Sequence, residues 1–305
     1  MADSTGTRPS TPTSTPTLTV IVPAYNEASA LPATLPPLVS LVERHGWRLI
    51  VVDDGSSDAT AEVLAGFHDV PGVAVIRHKV RRGYGAAIKT AIRAADTDLV
   101  VTVDADGQHR PDDIEALYKT SLRTDADMVV GDRGARSSGL VREIGKRVIR
   151  LVTKLLVPLP IRDLNSGMKL YRTGLARRYA HICPDSMAYS DVITLAFVHA
   201  RHLVVEHPIA VRSRAGGTST ITTATAFDTV LEILNIITLF NPMRIFLPLS
   251  VVSVTGGIAW GANRYFILRD GLSVGALLAI TTGVLFFVLG LLAEQLSAIR
   301  RARHD

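Results

Sequence analysis

The sequence predicts a doubly wound α/β domain followed by a hairpin of two membrane-spanning helices. Three observations lead there. From Leu18 to about Asp132, short apolar runs alternate with amphipathic segments, the pattern of a parallel sheet covered on both faces. Two later runs carry no charge at all, 19 residues over Ile245–Asn263 and 23 over Gly271–Ala293. The mean hydropathy of +0.26 is high for a soluble chain of 305 residues, and these two runs concentrate it.

The elements follow in order. Residues 1–17 are rich in Ser, Thr and Pro and have too little apolar surface to offset the entropy of ordering, so a disordered tail is expected. The tail lacks the apolar run of a signal peptide, which places the N-terminus in the cytoplasm. Strands are expected at Leu18–Val22, Leu49–Val52, Val73–Ile76, Leu99–Val103 and Met128–Val130. Helices are expected at Ala30–Glu43, Ala59–Phe67, Gly85–Ala95 and Asp112–Leu122. Right-handed crossovers wind such units into an open sheet. Ligands then bind beyond the carboxyl ends of the strands, where the polar clusters of this sequence fall.

Each uncharged run is long enough for a bilayer core of ~30 Å, which takes about 20 helical residues. The bland alternative is a pair of buried helices in a soluble core. The link Arg264–Asp270 is short and holds two Arg, while Arg244, Arg300, Arg301 and Arg303 flank the pair. The positive-inside bias then puts the front domain and both termini on the cytoplasmic side. Ala226–Phe240 is mostly apolar with Asp228, Glu232 and Asn235, and reads equally as an interfacial helix or a helix packed on the domain. The chain divides into a tail (1–17), a cytoplasmic α/β domain (18–224), a juxtamembrane helix (225–243) and the hairpin with a cytoplasmic C-terminal tail (244–305).

Charge is unevenly spread. The formal net charge of +5 resolves into −6 over residues 1–132, +10 over 133–178 and +1 over 179–305. The total is too small to argue for nucleic acid. The single Cys183 excludes an internal disulfide and a Cys-rich zinc module. It reads as a packed small residue, since nothing nearby would depress its pKa. In Leu140–Leu156, apolar residues recur at helical spacing with Arg142, Lys146, Arg147, Arg150 and Lys154 on the other sides. That is a basic amphipathic helix for a membrane surface, or else a solvated face on a core-packed helix.

The polar clusters carry the chemistry. Asp104-Ala105-Asp106-Gly107-Gln108 follows the fourth strand. Two carboxylates one residue apart, with an amide oxygen from Gln108, are hard ligands suited to Mg²⁺ or Mn²⁺, which keep positions open for a pyrophosphate. His109 beside them reads as an exposed loop histidine, with a phosphate contact as the other role. Asp53 and Asp54 end the second strand, where carboxylates accept hydrogen bonds from a ribose or a base edge, and Ser57 or Asp58 is expected to cap the next helix. Pro23 closes the first strand and Tyr25 offers a ring for base stacking, although an ordinary polar loop explains Val22–Glu27 as well. Arg81-Arg82-Gly83-Tyr84-Gly85 opens a helix as a phosphate nest or, equally, as a tight turn.

VIVPAYNE, VVDDGSSD and DADGQH, in this order and spacing, together with DLNSG at Asp163–Gly167 and RAGGTS at Arg214–Ser219, resemble glycosyltransferase family 2. With the terminal hairpin, the whole is similar to its polyprenyl-phosphate branch, of the dolichyl-phosphate mannosyltransferase type. The resemblance implies a GT-A (Rossmann-like) catalytic domain, a nucleotide-sugar donor (GDP-mannose or UDP-hexose), a Mg²⁺ or Mn²⁺ cofactor and a polyprenyl phosphate acceptor (undecaprenyl, decaprenyl or dolichyl). By that likeness Asp104, Asp106 and Gln108 hold metal and pyrophosphate. Pro23, Tyr25, Glu27 and Asp53 line the nucleotide pocket. Arg214 clamps the donor pyrophosphate, Arg133 meets the acceptor phosphate, and Arg142 and Lys146 assist it. Homo-oligomerisation is left open.

A phosphate monoester has its second pKa near about 6, so it attacks as a largely dianionic nucleophile at neutral pH without a general base. The expected reaction inverts the anomeric centre and gives a β-linked sugar phospholipid. Asp191 opens the Val192–Ala200 helical pattern and is expected mainly as its cap, with general base or acceptor contact as the other roles. A processive polysaccharide synthase would carry a Gln-x-x-Arg-Trp motif, and neither Gln108 nor Gln295 begins one. Two alternatives remain: a membrane-anchored nucleotide-sugar-binding scaffold with no turnover, against which the intact Asp104, Asp106 and Arg214 argue, and a soluble-type transferase to a small phosphorylated acceptor, against which the hairpin argues.

Overall fold

The structure, a computed structural model, describes residues 17–134, 161–164, 166–210, 242–268 and 273–302. Seven strands form one sheet: β1 (Leu18–Ala24), β2 (Arg48–Asp53), β3 (Val73–Arg77), β4 (Leu99–Thr102), β5 (Met128–Asp132), β6 (Lys169–Arg172) and β7 (Val204–Pro208). Their order across the sheet is β3-β2-β1-β4-β6-β5-β7. The helices are α1 (Leu31–His45), α2 (Thr60–Ala65), α3 (Tyr84–Ala94), α4 (Pro111–Thr124), α5 (Thr173–Tyr179), α6 (Tyr189–His199), α7 (Met243–Ala262) and α8 (Val274–Ala302). The five expected strands and four expected helices of the first half all form, with ends shifted by a few residues at most.

The expectation of a wholly parallel sheet needs one correction. β6 runs antiparallel to both neighbours, pairing Thr102 with Lys169 on β4 and Val130 with Lys169 on β5. Its four residues, Lys-Leu-Tyr-Arg, are too short and too polar at the ends to stand out as an apolar run. The other strand pairs are parallel.

Alternate residues of each strand serve opposite faces. Val20, Val22, Val51 and Val101 pack under Leu31, Leu35 and Leu38 of α1 and Ile114 and Leu117 of α4. Ile21, Val52, Val100 and Val130 pack under Ile88 and Ile92 of α3 and Ile193 and Phe197 of α6. Burying a large aliphatic side chain contributes about 2 kcal/mol, so these two layers hold the sheet rigid and fix where its carboxyl-end loops emerge.

The last two helices pack as a hairpin. A Cβ at Gly283 would lie 2.6 Å from Val254 Cγ2, and one at Gly257 would lie 2.8 Å from Ile280 Cγ1, so glycine lets the backbones approach. Ser253 Oγ donates to the Ala279 carbonyl at 2.8 Å. The spans Met243–Ile267 and Val274–Ile299 are long and apolar enough to cross a membrane, and only 11% and 17% of them is buried. Helices of a soluble core would be mostly enclosed, so that alternative loses its support. A π-helical segment, Asn263–Leu268, extends α7, so Arg264 sits in helix rather than in the expected link. Residues 1–16 of the expected tail, the basic segment Leu140–Leu156 and the helix expected at Ala226–Phe240 lie outside the described residues.

Candidate active site

The loops after β1, β2, β3, β4 and β5 meet at one end of the sheet. The first two are tied together. Asn26 N–H donates to Ser56 Oγ at 3.0 Å, Ser57 N–H to Asn26 Oδ1 at 2.9 Å, and Glu27 N–H to Thr60 Oγ1 at 2.9 Å. Asn26 adopts a left-handed φ of 54°, which asparagine tolerates better than most residues. Neither Ser57 nor Asp58 is the cap of α2, which starts after Ala59 with no side-chain cap bond; Asp58, one residue earlier, accepts the Thr60 and Ala28 N–H groups. Pro23 is buried within β1, one residue before the strand ends.

Asp53 and Asp54 are both buried but differ in task. Asp53 accepts the Ser56 N–H at 2.9 Å, and its Oδ2 lies 3.1 Å from Arg77 Nε. That second approach is an ion pair without hydrogen-bond alignment. Asp54 is a loop organiser. It accepts the N–H groups of Arg82 at 2.9 Å and Gly83 at 2.7 Å, and lies 2.7 Å from His78 Nδ1. Gly85 N–H donates to the Asp185 carbonyl at 2.8 Å. The N–H groups of Arg82, Gly83 and Gly85 are thus occupied by this chain, which is the pattern of a tight turn. Gly83, at φ 108°, also packs where a side chain would strike Asp185 O. Arg81 instead places its guanidinium 4.2 Å from the Tyr25 ring centroid, a cation–π contact on the ring expected to stack on a base.

Asp104 is the centre of the arrangement. Tyr84, the first residue of α3, donates its hydroxyl to Asp104 Oδ1 at 3.0 Å. His109 Nε2 lies 3.4 Å from Oδ2. A Cβ at Gly167 would overlap the Asp104 carboxylate, so the Asp163–Gly167 loop must present bare backbone there. Burial pushes the Asp104 carboxyl up, but the His109 and Tyr84 hydrogen bonds and the Arg133 charge outweigh it and hold the carboxyl below its ordinary value. Burial and the Asp104 charge together push the Tyr84 hydroxyl well up, so it stays a donor. His109 is not the exposed residue expected: its side chain is 4% exposed, and Nδ1 is buried without a hydrogen-bond partner among the described residues. Asp106 Oδ1 accepts the Gln108 N–H at 3.1 Å, around Gly107 at φ 73°.

Arg133 follows β5 and forms a bidentate pair with Asp163, Nε to Oδ2 at 2.7 Å and Nη2 to Oδ1 at 2.8 Å. This pairing, then burial against it, then the Asp163, Asp104 and Asp191 charges set the Arg133 guanidinium above its ordinary pKa. Burial raises the Asp163 carboxyl, and Arg133 more than reverses this. Asp191 is not the cap of α6. The helix starts at Tyr189 with Ala188 in the cap position and no side-chain cap bond, leaving Asp191 in the first turn. There it acts electrostatically on Arg133 and Lys169. Arg142, Lys146 and Arg214 lie outside the described residues.

Asp104, Asp106, Gln108, Arg133 and Asp191 thus gather at one end of the sheet, with the Tyr25, Glu27, Asp53 and Arg81 loops beside them. Sequence reasoning missed Tyr84, His109 and Lys169. Tyr84 stood inside a motif read for its glycines, and a lysine in a short strand carries no periodic signal. A cavity of about 310 Å³ lies elsewhere, between α3 and α5. Two of its cations are committed to this chain, Lys89 to Asp185 at 2.8 Å and Arg177 to the Ile92 and Ala95 carbonyls, and Arg82 and Arg93 line it as well.

A family model described as glycosyl transferase family 2 matches residues 19–180, more than half of the chain. The chain belongs to glycosyl transferase family 2. A second model, the GtrB C-terminal hairpin, matches residues 241–299 of this family 2 transferase. An uncharacterized protein of Methanocaldococcus jannaschii is 34% identical over 168 residues, which is 52% of this chain and 66% of that protein. The undecaprenyl-phosphate 4-deoxy-4-formamido-L-arabinose transferase of Pectobacterium carotovorum is 26% identical over 92% of this chain and 88% of its own length. Its counterpart in Pseudomonas aeruginosa is 27% identical over 92% and 84%. Among solved structures, glucosyl-3-phosphoglycerate synthase of Mycobacterium tuberculosis, in complex with Mn²⁺, UDP-glucose and phosphoglyceric acid, superposes with a TM-score of 0.56 at 19% identity. That match covers 73% of this family 2 transferase and 80% of the synthase, and shows a shared GT-A fold.

Proposed function

We propose that this glycosyltransferase moves a hexose from a nucleotide-sugar, GDP-mannose or a UDP-hexose, to a polyprenyl phosphate at the cytoplasmic face of a membrane. The observation that carries the reading is the placement of the Arg133–Asp163 pair beside the ionised Asp104, in a chain that also holds two membrane-length helices. An anionic acceptor needs a fixed cation next to the donor site, and a lipid acceptor needs an anchor. The printed names of the Pectobacterium and Pseudomonas relatives, both undecaprenyl-phosphate transferases, support a lipid phosphate acceptor. The domain limits are those of the sequence: a catalytic unit over 18–224, a juxtamembrane helix over 225–243 and an anchor over 244–305.

The residues fit a divalent cation. Among the described residues no three His, Cys, Asp or Glu side chains cluster as a closed cage. What the chain offers is two hard carboxylates, Asp104 and Asp106, with Gln108 adjacent, and the rest of the coordination would come from donor phosphates and water. Mg²⁺ or Mn²⁺ held there would offset charge on the departing nucleoside diphosphate. The Mn²⁺ and UDP-glucose bound by the mycobacterial synthase agree with this.

The chain's own part is orientation and charge. Tyr84 and His109 hold the Asp104 carboxylate in one setting. Asp163 grips Arg133 through two nitrogens, so the guanidinium is presented rigidly toward an incoming phosphate. Arg214, by its motif, would add a second cation at the leaving group. A lipid phosphate dianion needs alignment and charge compensation, not deprotonation, and attack opposite the leaving group would yield the β-linked product. Asp191 then tunes the cluster's charge rather than taking a proton.

The test uses detergent-purified protein, Mg²⁺ or Mn²⁺, a polyprenyl phosphate and a panel of radiolabelled nucleotide-sugars. Label passing into the organic phase in an acid-labile, β-configured product is the expected result. Donor binding with no transfer across the panel would instead favour the anchored binding-protein alternative.

A further inference from the structure

Lys169 is 1% exposed at the middle of this apparatus. β6 runs between the strand that delivers Asp104 and the strand that delivers Arg133, and Lys169 pairs with Thr102 on one side and Val130 on the other. Its ammonium donates to the Leu164 carbonyl at 2.7 Å, the Ser190 carbonyl at 2.5 Å and Ser190 Oγ at 2.7 Å. Three N–H groups meet three oxygens, so the ammonium has no capacity left for substrate. Ser190 Oγ in turn donates to the Ser166 carbonyl at 2.7 Å. One side chain thereby joins the Asp163–Gly167 loop to the first turn of α6. The flanking residues are the ones that matter: Asp163 grips Arg133, Gly167 backs Asp104, and Asp191 follows Ser190.

We propose that Lys169 is a positioning residue for the transfer reaction, its buried ammonium setting the distance between the Asp163–Gly167 loop and Asp191 so that Arg133 is held between two carboxylates at the cleft. This rests on the functional reading given above. Burial works against the charged amine and outweighs the Asp191 and Asp163 charges that favour it, pushing Lys169 down to about 7, while the three oxygens around Nζ hold its protons. Asp104, Asp163 and Asp191 are three anions, partly offset in this cluster by the two cations Arg133 and Lys169. Removing Lys169 would take away the donor to the Leu164 carbonyl, while the Ser190 carbonyl would keep the Thr194 hydroxyl, and would leave Arg133 alone among the acids.

The experiment compares wild type with Lys169→Met, Lys169→Arg and Ser190→Ala in the full chain in detergent. Three quantities are read: donor Kd by direct binding, kcat and KM for transfer, and amide hydrogen exchange of the segments 163–168 and 188–192. For Lys169→Met, kcat is expected to fall about 50-fold while donor Kd moves less than about 3-fold, the mark of lost alignment rather than lost binding. Exchange should rise in both segments together. Lys169→Arg should recover part of kcat, and Ser190→Ala should lose about 5-fold, with the Lys169→Met/Ser190→Ala double variant no worse than Lys169→Met alone. Wild-type kcat in Lys169→Met, or a parallel loss of kcat and donor affinity, overturns the proposal. If Lys169→Met does not fold, Ser190→Ala and Lys169→Arg decide it by the same split. A wild-type protein that transfers nothing would defeat the functional reading instead, and the paired exchange response would still decide whether Lys169 couples the two segments.

Discussion

The Tyr84 hydroxyl and the Asp104 carboxylate meet at 3.0 Å, joining the first residue of one helix to the end of a strand twenty residues further on. The bond gives Asp104 a neutral donor at every workable pH, because burial and the adjacent carboxylate keep the phenol protonated.

Removing that donor tests its worth. Tyr84→Phe keeps the ring and deletes the hydrogen bond to a charged acceptor. A loss of about 10-fold in kcat/KM is expected, in line with one such bond. Steady-state transfer at saturating Mn²⁺ and across a Mn²⁺ titration measures it. Unchanged kinetics would mean that His109 alone is enough to set the carboxylate.

Gly167 is required for space. A methyl group there would overlap the Asp104 carboxylate, which has Tyr84 and His109 on its other sides. Gly167→Ala is expected to cut transfer about 100-fold while far-ultraviolet circular dichroism stays native. Full activity in this variant would show that the carboxylate yields freely, against the rigid setting described.

The Arg133–Asp163 pair makes stability depend on pH. The folded Asp163 carboxyl lies below its unfolded value, which is about 3.9. Its contribution is therefore complete above the unfolded pKa and lost as pH falls through the folded one. Asp163→Asn should cost roughly 2 kcal/mol near pH 7 and should flatten the decline in stability between about pH 5 and pH 3. Urea unfolding of both proteins at several pH values checks this, and equal slopes would remove the pair from the account.

Cys183 should be inert in the native protein. It is buried, its Sγ donates to the Tyr179 carbonyl at 3.3 Å, and burial pushes its thiol up to about 12. At pH 8 the thiolate fraction is about one in ten thousand. Iodoacetamide is expected to label the chain only after denaturation, as mass spectrometry of the intact protein would show. Prompt native labelling would indicate that the Cys183–Asp185 segment opens readily.

Five of the six strands of the parallel part were legible because they stand out as mostly apolar runs, as in Leu99–Thr102, whereas β7, Val-Val-Glu-His-Pro, has only two apolar residues before its polar end and was not expected. Asp104 and Asp106 were legible because they follow such a run. β6 was not, since Lys169 and Arg172 at its ends break the run and its burial comes from neighbours distant in sequence. The same blindness hid Lys169 itself: three acceptors from residues 164 and 190 make a buried cation tolerable, and no local spacing announces them. Arg81–Gly85 reads from the sequence equally as a phosphate nest or a tight turn, and its glycines mark close approach to the Asp185 segment, with the Gly83 N–H held by Asp54. His109 was misplaced because a polar loop hides how deeply one of its members turns inward.

The reversed strand has a consequence for how this enzyme could diversify. Because β5 and β6 are antiparallel neighbours, with Val130 opposite Lys169, the chain leaves the sheet and rejoins it on adjacent strands at the cleft end. Everything between, including most of the strongly basic stretch of the sequence, is spliced in at two neighbouring anchor points. Lengthening such a closed insert adds only about 0.6 kcal/mol per doubling, and the rest of the sheet need not shift. Under the proposed function, the part of that stretch ahead of the Asp163–Gly167 loop is where a different acceptor would be accommodated, because the loop itself is tied to Arg133 and Asp104 and Asp53, Asp54 and Asp104 are set by the parallel strands that carry them.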